Sequence, residues 1–298
     1  MANLKELKSR ISSTKKTQKI TKAMQMVAAA KLRKAQDAAE SARPYSERIN
    51  GVIANLANSM SGAGDAPELL VGNGNDKTVL LVVATADRGL CGGFNTNIVR
   101  KAREEIVTLE KAGKMVKLFL IGKKGYDQLN RLYSDKIVHF ISLKEERKLH
   151  AGIAKNIGDK VTAMFEAGEF DTCKLIYSKF INVMEQSAVA PTLIPAIASI
   201  ETTDEEENGP DLKGAIYSYE PDEAGILRVL LPRNINTQIF TALLENQAGE
   251  MGSKMTAMDN ATRNAGDMID KLTLTFNRTR QAQITSELIE IISGAEAL

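Results

Sequence analysis

Cysteine and histidine are scarce in this chain of 298 residues. The two cysteines, Cys91 and Cys173, lie far apart and form no CxxC pair, so the sequence predicts neither a disulfide framework nor a thiolate metal site. A reducing compartment is therefore expected. The two histidines, His139 and His150, have no cysteine or aspartate at catalytic or ligand spacing, which favours a structural role for both.

Long apolar runs are also missing. Nowhere do 18 apolar residues follow one another, so we expect any membrane association to be indirect. Apolar residues nevertheless make up 43% of the chain, which is enough to build a hydrophobic core. The sequence therefore predicts a folded protein.

Glycine and proline are nearly absent from the first 59 residues, where only Gly51 and Pro44 occur. The segment 1–59 is predicted to be one long helix with Asn3 as its N-cap. At about 1.5 Å per residue this helix would be on the order of 80 Å long, which is longer than a compact domain is wide. Its apolar seam is narrow and is predicted to run through Ile20, Met24, Ala28, Leu32, Ala35 and Ala39.

The segment 223–298 is also predicted to be a long helix with a narrow apolar seam. Its apolar residues alternate in steps of four and three, which is a heptad pattern: Met251, Met255, Met258, Thr262, Ala265, Ile269, Leu272, Phe276 and Thr279. The methionines could instead mark an adaptable binding groove, but a helix seam is the simpler interpretation. Two long helices with narrow seams at opposite ends of one chain predict an antiparallel coiled coil.

The middle of the chain differs from both ends in its residue composition and in its pattern of apolar residues. A Gly/Pro/Asn-rich linker is predicted at 60–76, followed by a central α/β domain at 77–222. In that domain strand patterns alternate with helix patterns, and the run "KTVLLVVATA" is typical of a strand buried on both faces. This predicts a small parallel or mixed doubly wound sheet of Rossmann-like type. The stretch "VAPTLIPAIASIETTDEEENGPD" is predicted to be a surface connection that includes a mobile acidic loop at 201–211.

A nucleotide-binding function is one hypothesis for the α/β domain. The turn "TADRGLCGGFN" follows the first strand and opens the first helix, where phosphates bind in Rossmann-type domains. Gly89, Gly92 and Gly93 do not form GxGxxG, however, and no GxxxxGK[ST] occurs. We therefore interpret these glycines as serving a tight turn, and Cys91 as a small buried residue within it. The residues indicate no catalytic, cofactor or metal site.

Charge is segregated along the chain although the net charge is only +2. The first 36 residues carry a single acid, Glu6, against ten bases: Lys5, Lys8, Arg10, Lys15, Lys16, Lys19, Lys22, Lys31, Arg33 and Lys34. A nucleic-acid arm would be expected to add base-reading Arg or Asn side chains, and a membrane-surface helix would need large apolar side chains opposite the charge. The pattern instead favours a shaft that meets acidic protein surfaces.

Six separated blocks of sequence stand out along the chain: "TQKITKAMQMVAAAKLRKAQ", "ARPYSERI", "DRGLCGGFN", "SKFIN", "YEPD" and "NRTRQAQITSELIEIISGAEAL". In the same order and over essentially the whole chain, these blocks resemble the gamma subunits of rotary proton-translocating ATP synthases. The resemblance implies a central rotor stalk that is not an enzyme by itself. It implies that the terminal helices turn inside a hexamer of alpha and beta subunits and couple proton flow through the membrane c-subunit ring to ATP synthesis or hydrolysis on the beta subunits.

The resemblance also implies partners and a location. The expected partners are the alpha and beta subunits, the epsilon subunit and the membrane ring, with no nucleic acid and no cofactor. The non-photosynthetic bacterial form is the better match, which implies a peripheral position on the cytoplasmic face of the inner membrane. Chloroplast-type subunits carry an inserted pair of closely spaced cysteines that this chain lacks, so we expect no thiol control.

Contact residues carry over position by position from the matching blocks. The candidates for the beta-subunit lever contact are Lys19, Lys22, Met24, Lys31 and Arg33. The candidates for a polar catch on the opposite helix are Arg280, Gln281, Thr285 and Glu287. The candidates for the foot that touches the ring and epsilon are Tyr217, Tyr219 and Glu220.

Two alternatives from other classes remain open at this stage. One is a coiled-coil scaffold or nucleic-acid tether that carries an α/β domain. The other is a nucleotide enzyme whose motif is not recognisable in the sequence.

Overall fold

A computed structural model describes residues 4–59, 66–146, 148–183, 185–196 and 223–296. Two compact units divide the chain. The first unit contains the start of the N-terminal helix, up to Ala30, and the end of the C-terminal helix, from Lys254 onward. The second unit is Lys31–Ser253.

The two terminal segments form long helices. Helix α1 spans Leu4–Ser59 and helix α6 spans Glu223–Glu296. In the first unit they run antiparallel, because Thr21 contacts Thr262 while Gln25, further along α1, contacts Asp259, further back on α6. The predicted heptad positions of α6 in this unit, from Met255 to Thr279, are buried or half-buried. The predicted antiparallel coiled coil is confirmed.

One seam residue of α1 was predicted wrongly. Ile20 is 59% exposed, and its neighbour Thr21 is only 9% exposed. The seam of α1 in the first unit repeats every seven residues through Leu7, Thr14, Thr21 and Ala28, which are all buried or half-buried. Because one residue turns an α-helix by about 100°, Ile20 points away from the partner helix although it is the more apolar of the two.

The second unit is built on a six-stranded sheet. Its strands are β1 (Thr78–Ala84), β2 (Met115–Ile121), β3 (Ile137–Ile141), β4 (Thr172–Phe180), β5 (Gln186–Val189) and β6 (Thr192–Ile194). The order is β3-β2-β1-β4-β5, with β6 also paired to β4. Strands β3, β2, β1 and β4 are parallel, whereas β5 and β6 are antiparallel to β4. The predicted mixed, Rossmann-like sheet is confirmed.

Both faces of β1 are buried, as its continuous apolar run predicted. Alternate side chains of a strand point to opposite faces, so Leu80 and Val82 join one core while Leu81 and Val83 join another. The first core also contains side chains of α5 (Ala151–Glu166) and residues 235–243 of α6. The second contains side chains of α3 (Phe94–Lys111) and α4 (Lys123–Tyr133).

A third apolar cluster joins the two terminal helices within the second unit. Ile53 and Leu56 of α1 share it with Leu227 and Leu231 of α6, and all four side chains have no exposed surface. Leu70 of the short helix α2 (Glu68–Val71) completes the cluster. This packing anchors both long helices beside the sheet.

The stretch after β4 departs from the prediction of a surface connection. It forms β5 and β6, and Leu193 and Ile194 of β6 are almost fully buried in the first core. The prolines in "APTLIP" suggested a loop, but an edge strand of three residues tolerates prolines at both ends.

Several predictions fall wholly or partly outside the described residues. The acidic loop 201–211 lies there entirely. The predicted linker 60–76 is described only from residue 66, where it includes α2. The predicted domain boundaries therefore stay predictions.

Candidate functional site

The turn after β1 is where the nucleotide-binding hypothesis placed a phosphate. The Asp87 carboxylate lies there and accepts hydrogen bonds from the backbone N–H groups of Lys123 and Leu143, both at 2.9 Å, and from the Ser142 hydroxyl at 2.8 Å. These contacts tie together the loops that follow β1, β2 and β3. A carboxylate in this turn that already accepts hydrogen bonds from N–H groups of the two neighbouring loops makes an unfavourable neighbour for a phosphate, because the two negative charges repel.

Side chains of the same turn also bond to each other. Asn95, in the first turn of α3, accepts a hydrogen bond from the Ala86 N–H at 2.9 Å and donates one to the Cys91 sulfur at 3.2 Å. Gly92 has a φ of +56°, which a glycine adopts without strain. The geometry supports a structural role for these glycines.

The histidines lie apart from one another and from both cysteines in sequence and have simple partners. His139 Nε2 lies 2.9 Å from Lys160 Nζ, and burial together with that ammonium lowers the pKa of His139. A neutral imidazole that accepts a hydrogen bond from Lys160 fits this geometry. Among the residues that the structure describes, no cluster of three His, Cys, Asp or Glu side chains could hold a metal ion.

Both cysteines are buried thiols outside any disulfide, Cys91 with 2% exposure and Cys173 with none. Complete burial raises the pKa of the Cys173 thiol. Because the thiolate is the reactive form, Cys173 is an inert core residue.

The lever candidates on α1 are surface side chains with one exception. In the first unit Lys19 and Lys22 are exposed, and Met24 is half-buried beside the seam. The Lys22 ammonium donates a hydrogen bond to Gln25 Oε1 at 3.1 Å. In the second unit Lys31 and Arg33 are exposed. The four cations can therefore meet another protein without any change in the fold of this chain.

The catch candidates on α6 are all exposed. The Thr285 hydroxyl donates to the Gln281 carbonyl at 2.9 Å, and the Glu287 carboxylate accepts from Gln283 at 3.0 Å. Both bonds are local to the helix and leave further donor and acceptor capacity on these side chains. Tyr217, Tyr219 and Glu220, the foot candidates, lie outside the described residues.

The last described turns of α6 also expose apolar side chains. Five of them are between 49% and 68% exposed: Ile284, Leu288, Ile289, Ile291 and Ile292. Adjacent exposed apolar side chains of this size indicate a surface that becomes covered by another protein.

Three apolar side chains of α1 were missed as surface candidates. Ile20, Met26 and Val27 are 59%, 60% and 56% exposed. The seven-residue step back from Ala28 leads to Thr21, and counting that step strictly would have placed Ile20 on the outside. The exposed side of α1 is therefore a mixture of cations and apolar groups.

An ion pair in the second unit between the exposed Arg43 and the buried Glu245 was also missed. The Glu245 carboxylate of α6 is 5% exposed, lies 3.8 Å from Arg43 of α1, and accepts a hydrogen bond from the Phe180 N–H at 3.4 Å. Burial raises the pKa of Glu245, and the Phe180 N–H and Arg43 only partly offset this. A raised pKa of an acid in the folded state means that stability declines as the pH rises through it. The pair therefore fixes α6 at the end of β4 at some cost in stability.

Comparison with known proteins gives a consistent result. The family model described as ATP synthase matches residues 3–298. The ATP synthase gamma chain of Maricaulis maris (strain MCS10) is 61% identical over 298 residues, and that of Rhizobium etli (strain CIAT 652) is 59% identical; both alignments cover 100% of each chain.

Solved structures agree. The central stalk and c-ring structure of the Tetrahymena thermophila mitochondrial ATP synthase contains a chain with a TM-score of 0.62 and 25% identity, covering 81% of this chain and 99% of that one. A rotor chain of the Euglena gracilis mitochondrial ATP synthase has a TM-score of 0.65 at 16% identity, covering 94% and 98%, which compares the fold alone.

Proposed function

The chain belongs to the family of ATP synthase gamma chains, and from that membership we propose how its two terminal helices contact the other subunits. The chain is a central-stalk subunit and is not itself catalytic, since catalysis resides on the beta subunits. The observation that carries the proposal is that the narrow seam of the coiled coil leaves the cations of α1 and the polar end of α6 exposed.

The cations of α1 are proposed to contact acidic surfaces of the beta subunits. Lys19, Lys22, Lys31 and Arg33 are exposed, and attraction between exposed charges is screened within about 8–10 Å. Each such contact is worth only ~0.2–1 kcal/mol, so a rotating surface can exchange one partner for the next without being trapped. Met24, half-buried at the edge of the seam, would contact beta through its apolar end.

The polar end of α6 is proposed to form a second contact. Arg280, Gln281, Thr285 and Glu287 carry donors and acceptors that a beta subunit could bind at one rotary angle and release at the next. Because these contacts differ in energy between angles, rotation can bias each beta subunit toward a different nucleotide affinity. The exposed apolar residues beyond them are proposed to turn inside an apolar sleeve formed by the alpha and beta subunits.

The remaining partners are proposed from the sequence resemblance alone. Tyr217, Tyr219 and Glu220 would contact the epsilon subunit and the membrane ring. The chain is a peripheral subunit of its complex, and within the described part of it no helix has the length and apolarity needed to cross a membrane. We propose that the complex stands on the cytoplasmic face of the bacterial inner membrane.

The experiment that tests the function combines purification with an activity assay. Tagged full-length chain should show no ATP hydrolysis of its own, and it should co-purify with coexpressed alpha and beta subunits as a complex that hydrolyses ATP. Tight binding of the isolated chain to DNA, with no recovery of alpha or beta, would instead favour the nucleic-acid tether. Hydrolysis by the chain alone would favour the nucleotide enzyme.

Thiol reduction should leave the assembled complex unchanged. Cys91 and Cys173 are buried and are not joined by a disulfide, so a dithiol reductant has no disulfide to open between them. We expect the ATPase rate of the complex to stay within about 10% of its value before reduction, as measured after incubation with and without dithiothreitol. A complex in which both cysteines are replaced by alanine is the control, and a change on reduction that this control lacks would contradict the prediction.

A further inference from the structure

The seam between α1 and α6 in the first unit contains a polar layer. Thr21 is 9% exposed, and its hydroxyl oxygen lies 2.8 Å from that of Thr262. Each hydroxyl also lies within hydrogen-bond distance of a carbonyl of its own helix, Thr21 of Gln18 at 3.0 Å and Thr262 of Met258 at 2.8 Å, so one hydroxyl donates to its carbonyl and the other donates across the seam. A polar pair inside an apolar seam favours one alignment of the two helices, because sliding the helices would break the hydrogen bond between the hydroxyls.

One turn along α1, the polar layer continues to the surface. The Gln25 amide nitrogen donates to Asp259 Oδ1 at 2.9 Å, and Gln25 Oε1 accepts from the Lys22 ammonium at 3.1 Å. The opposite orientation of this amide would place its NH₂ group against the ammonium and its oxygen against the carboxylate. The two charges therefore determine the orientation of Gln25.

Asp259 is itself held on α6. Its second carboxylate oxygen lies 2.8 Å from the guanidinium of Arg263, one turn further along the helix. Arg263 in turn donates to Asn260 at 2.9 Å. The result is a chain of polar contacts, here called the polar relay, that runs from Arg263 through Asp259 and Gln25 to Lys22. It crosses from one helix to the other.

We propose that Asp259 is a positioning residue that acts through Gln25 to hold the Lys22 ammonium in place for its contact with an acidic subunit surface. This inference rests on the proposed function for the role of Lys22, and on the geometry alone for the polar relay. Lys22 is exposed and its side chain has four rotatable bonds, so an unheld ammonium would sample many directions. The relay restricts that freedom and ties the orientation of Lys22 to the partner helix.

The first test asks only whether the relay holds Lys22, and it does not depend on the proposed role of Lys22 in the assembled complex. Lysine reactivity is measured in the purified full-length chain by brief reductive methylation followed by mass spectrometry. Asp259→Ala should raise the labelling rate of Lys22 roughly twofold to tenfold, the range for the net loss of one typical hydrogen bond. Asp259→Asn should leave the rate near that of the unaltered chain, because an asparagine oxygen can still accept from Gln25.

Matched controls separate positioning from unfolding. Asp267→Ala removes an exposed carboxylate from the same helix in the same unit and should leave Lys22 labelling unchanged. The helix content of each variant is checked by circular dichroism. Equal labelling of Lys22 in the Asp259→Ala variant and the unaltered chain would overturn the relay.

The functional half is tested in the assembled complex through the ratio of ATP-driven proton pumping to ATP hydrolysis. Asp259→Ala should lower this ratio, Asp259→Asn should restore it, and Asp259→Ala should have no further effect when Lys22 is already glutamine. Additive effects of the two substitutions would overturn the positioning role. If Lys22→Gln alone leaves the ratio unchanged, Lys22 does not make the proposed beta contact and Asp259 has no positioning role in coupling. The labelling result would then still decide whether the relay exists.

Discussion

Replacing Lys19, Lys22 and Arg33 together by glutamine will lower the ratio of ATP-driven proton pumping to ATP hydrolysis in the assembled complex roughly fivefold. The three side chains are exposed, so the substitution removes charge and leaves the cores intact. Three exposed charge contacts of ~0.2–1 kcal/mol each, partly compensated by neighbouring cations, add to about 1 kcal/mol. The ratio is measured in membrane vesicles. Proton pumping is followed by the quenching of a pH-sensitive fluorescent dye, and ATP hydrolysis by the release of phosphate.

The matched control for this variant carries glutamine at Lys8, Lys15 and Lys16. These lysines are also exposed and lie on the same helix, but outside the block from which the contact residues were carried over. The control removes the same charge and should keep at least about 80% of the normal ratio. The difference between the two variants should also shrink at high salt, because exposed charges are screened more strongly there. If the first variant fails to assemble with alpha and beta, these cations serve the structure and the coupling proposal is wrong.

Replacing Gly122 by alanine will prevent the second unit from folding stably. Gly122 follows β2 with a φ of +90°, and a Cβ at this position would overlap the backbone carbonyl oxygen of Thr85. That oxygen belongs to a buried residue whose hydroxyl also accepts a hydrogen bond from the Gly125 N–H at 2.8 Å, so it has little room to move. Left-handed strain costs about 1–2 kcal/mol, and the overlap should raise the total above about 4 kcal/mol.

The comparison variant is Gly113→Ala. Gly113 has a φ of +76°, and a Cβ there would meet nothing within 4 Å, so it isolates the backbone strain from the overlap. We expect Gly113→Ala to assemble with alpha and beta in nearly normal yield at a midpoint of thermal unfolding lower by a few degrees. Gly122→Ala should give little or no soluble complex. Equal yields from the two variants would show that the turn after β2 can rearrange.

Patterns of many residues predicted the architecture correctly. The seven-residue repeat from Met251 to Thr279 predicted a helix seam, and the continuous apolar run of β1 predicted a strand covered on both faces. Both inferences depend on the period at which side chains recur along a helix or strand, which is a property of the local backbone. Both inferences can therefore be made without knowing which parts of the chain pack against the helix or the strand.

Single residues were harder to place. Ile20 was assigned to the seam because it is apolar, and the structure exposes it and buries Thr21. Its neighbour is polar but has a partner, Thr262, from a segment more than two hundred positions away. The hydropathy of Thr21 alone gives no information about that partner. Burial of a hydroxyl becomes favourable only when it forms a hydrogen bond, so the partner must be known before the burial can be predicted.

The contacts around Glu245 show the same limit. A glutamate in an apolar stretch of helix gave no signal in the sequence, yet it is buried against Arg43 and the Phe180 N–H. The strands β5 and β6 were likewise missed, because their residues become strands only by pairing with β4. Each of these features depends on groups that are brought together by the tertiary fold.

The sequence by itself determined the fold class, the pairing of the terminal helices and the family, because periodicity and motifs are carried by residues close together along the chain. Only the tertiary structure decided that Thr21 and not Ile20 faces the partner helix, how the turn after β1 is closed by Asp87, and how Asp259 reaches Lys22 through Gln25. The physical reason is that a side chain's partner across the fold determines whether a polar group is stabilised inside or left at the surface.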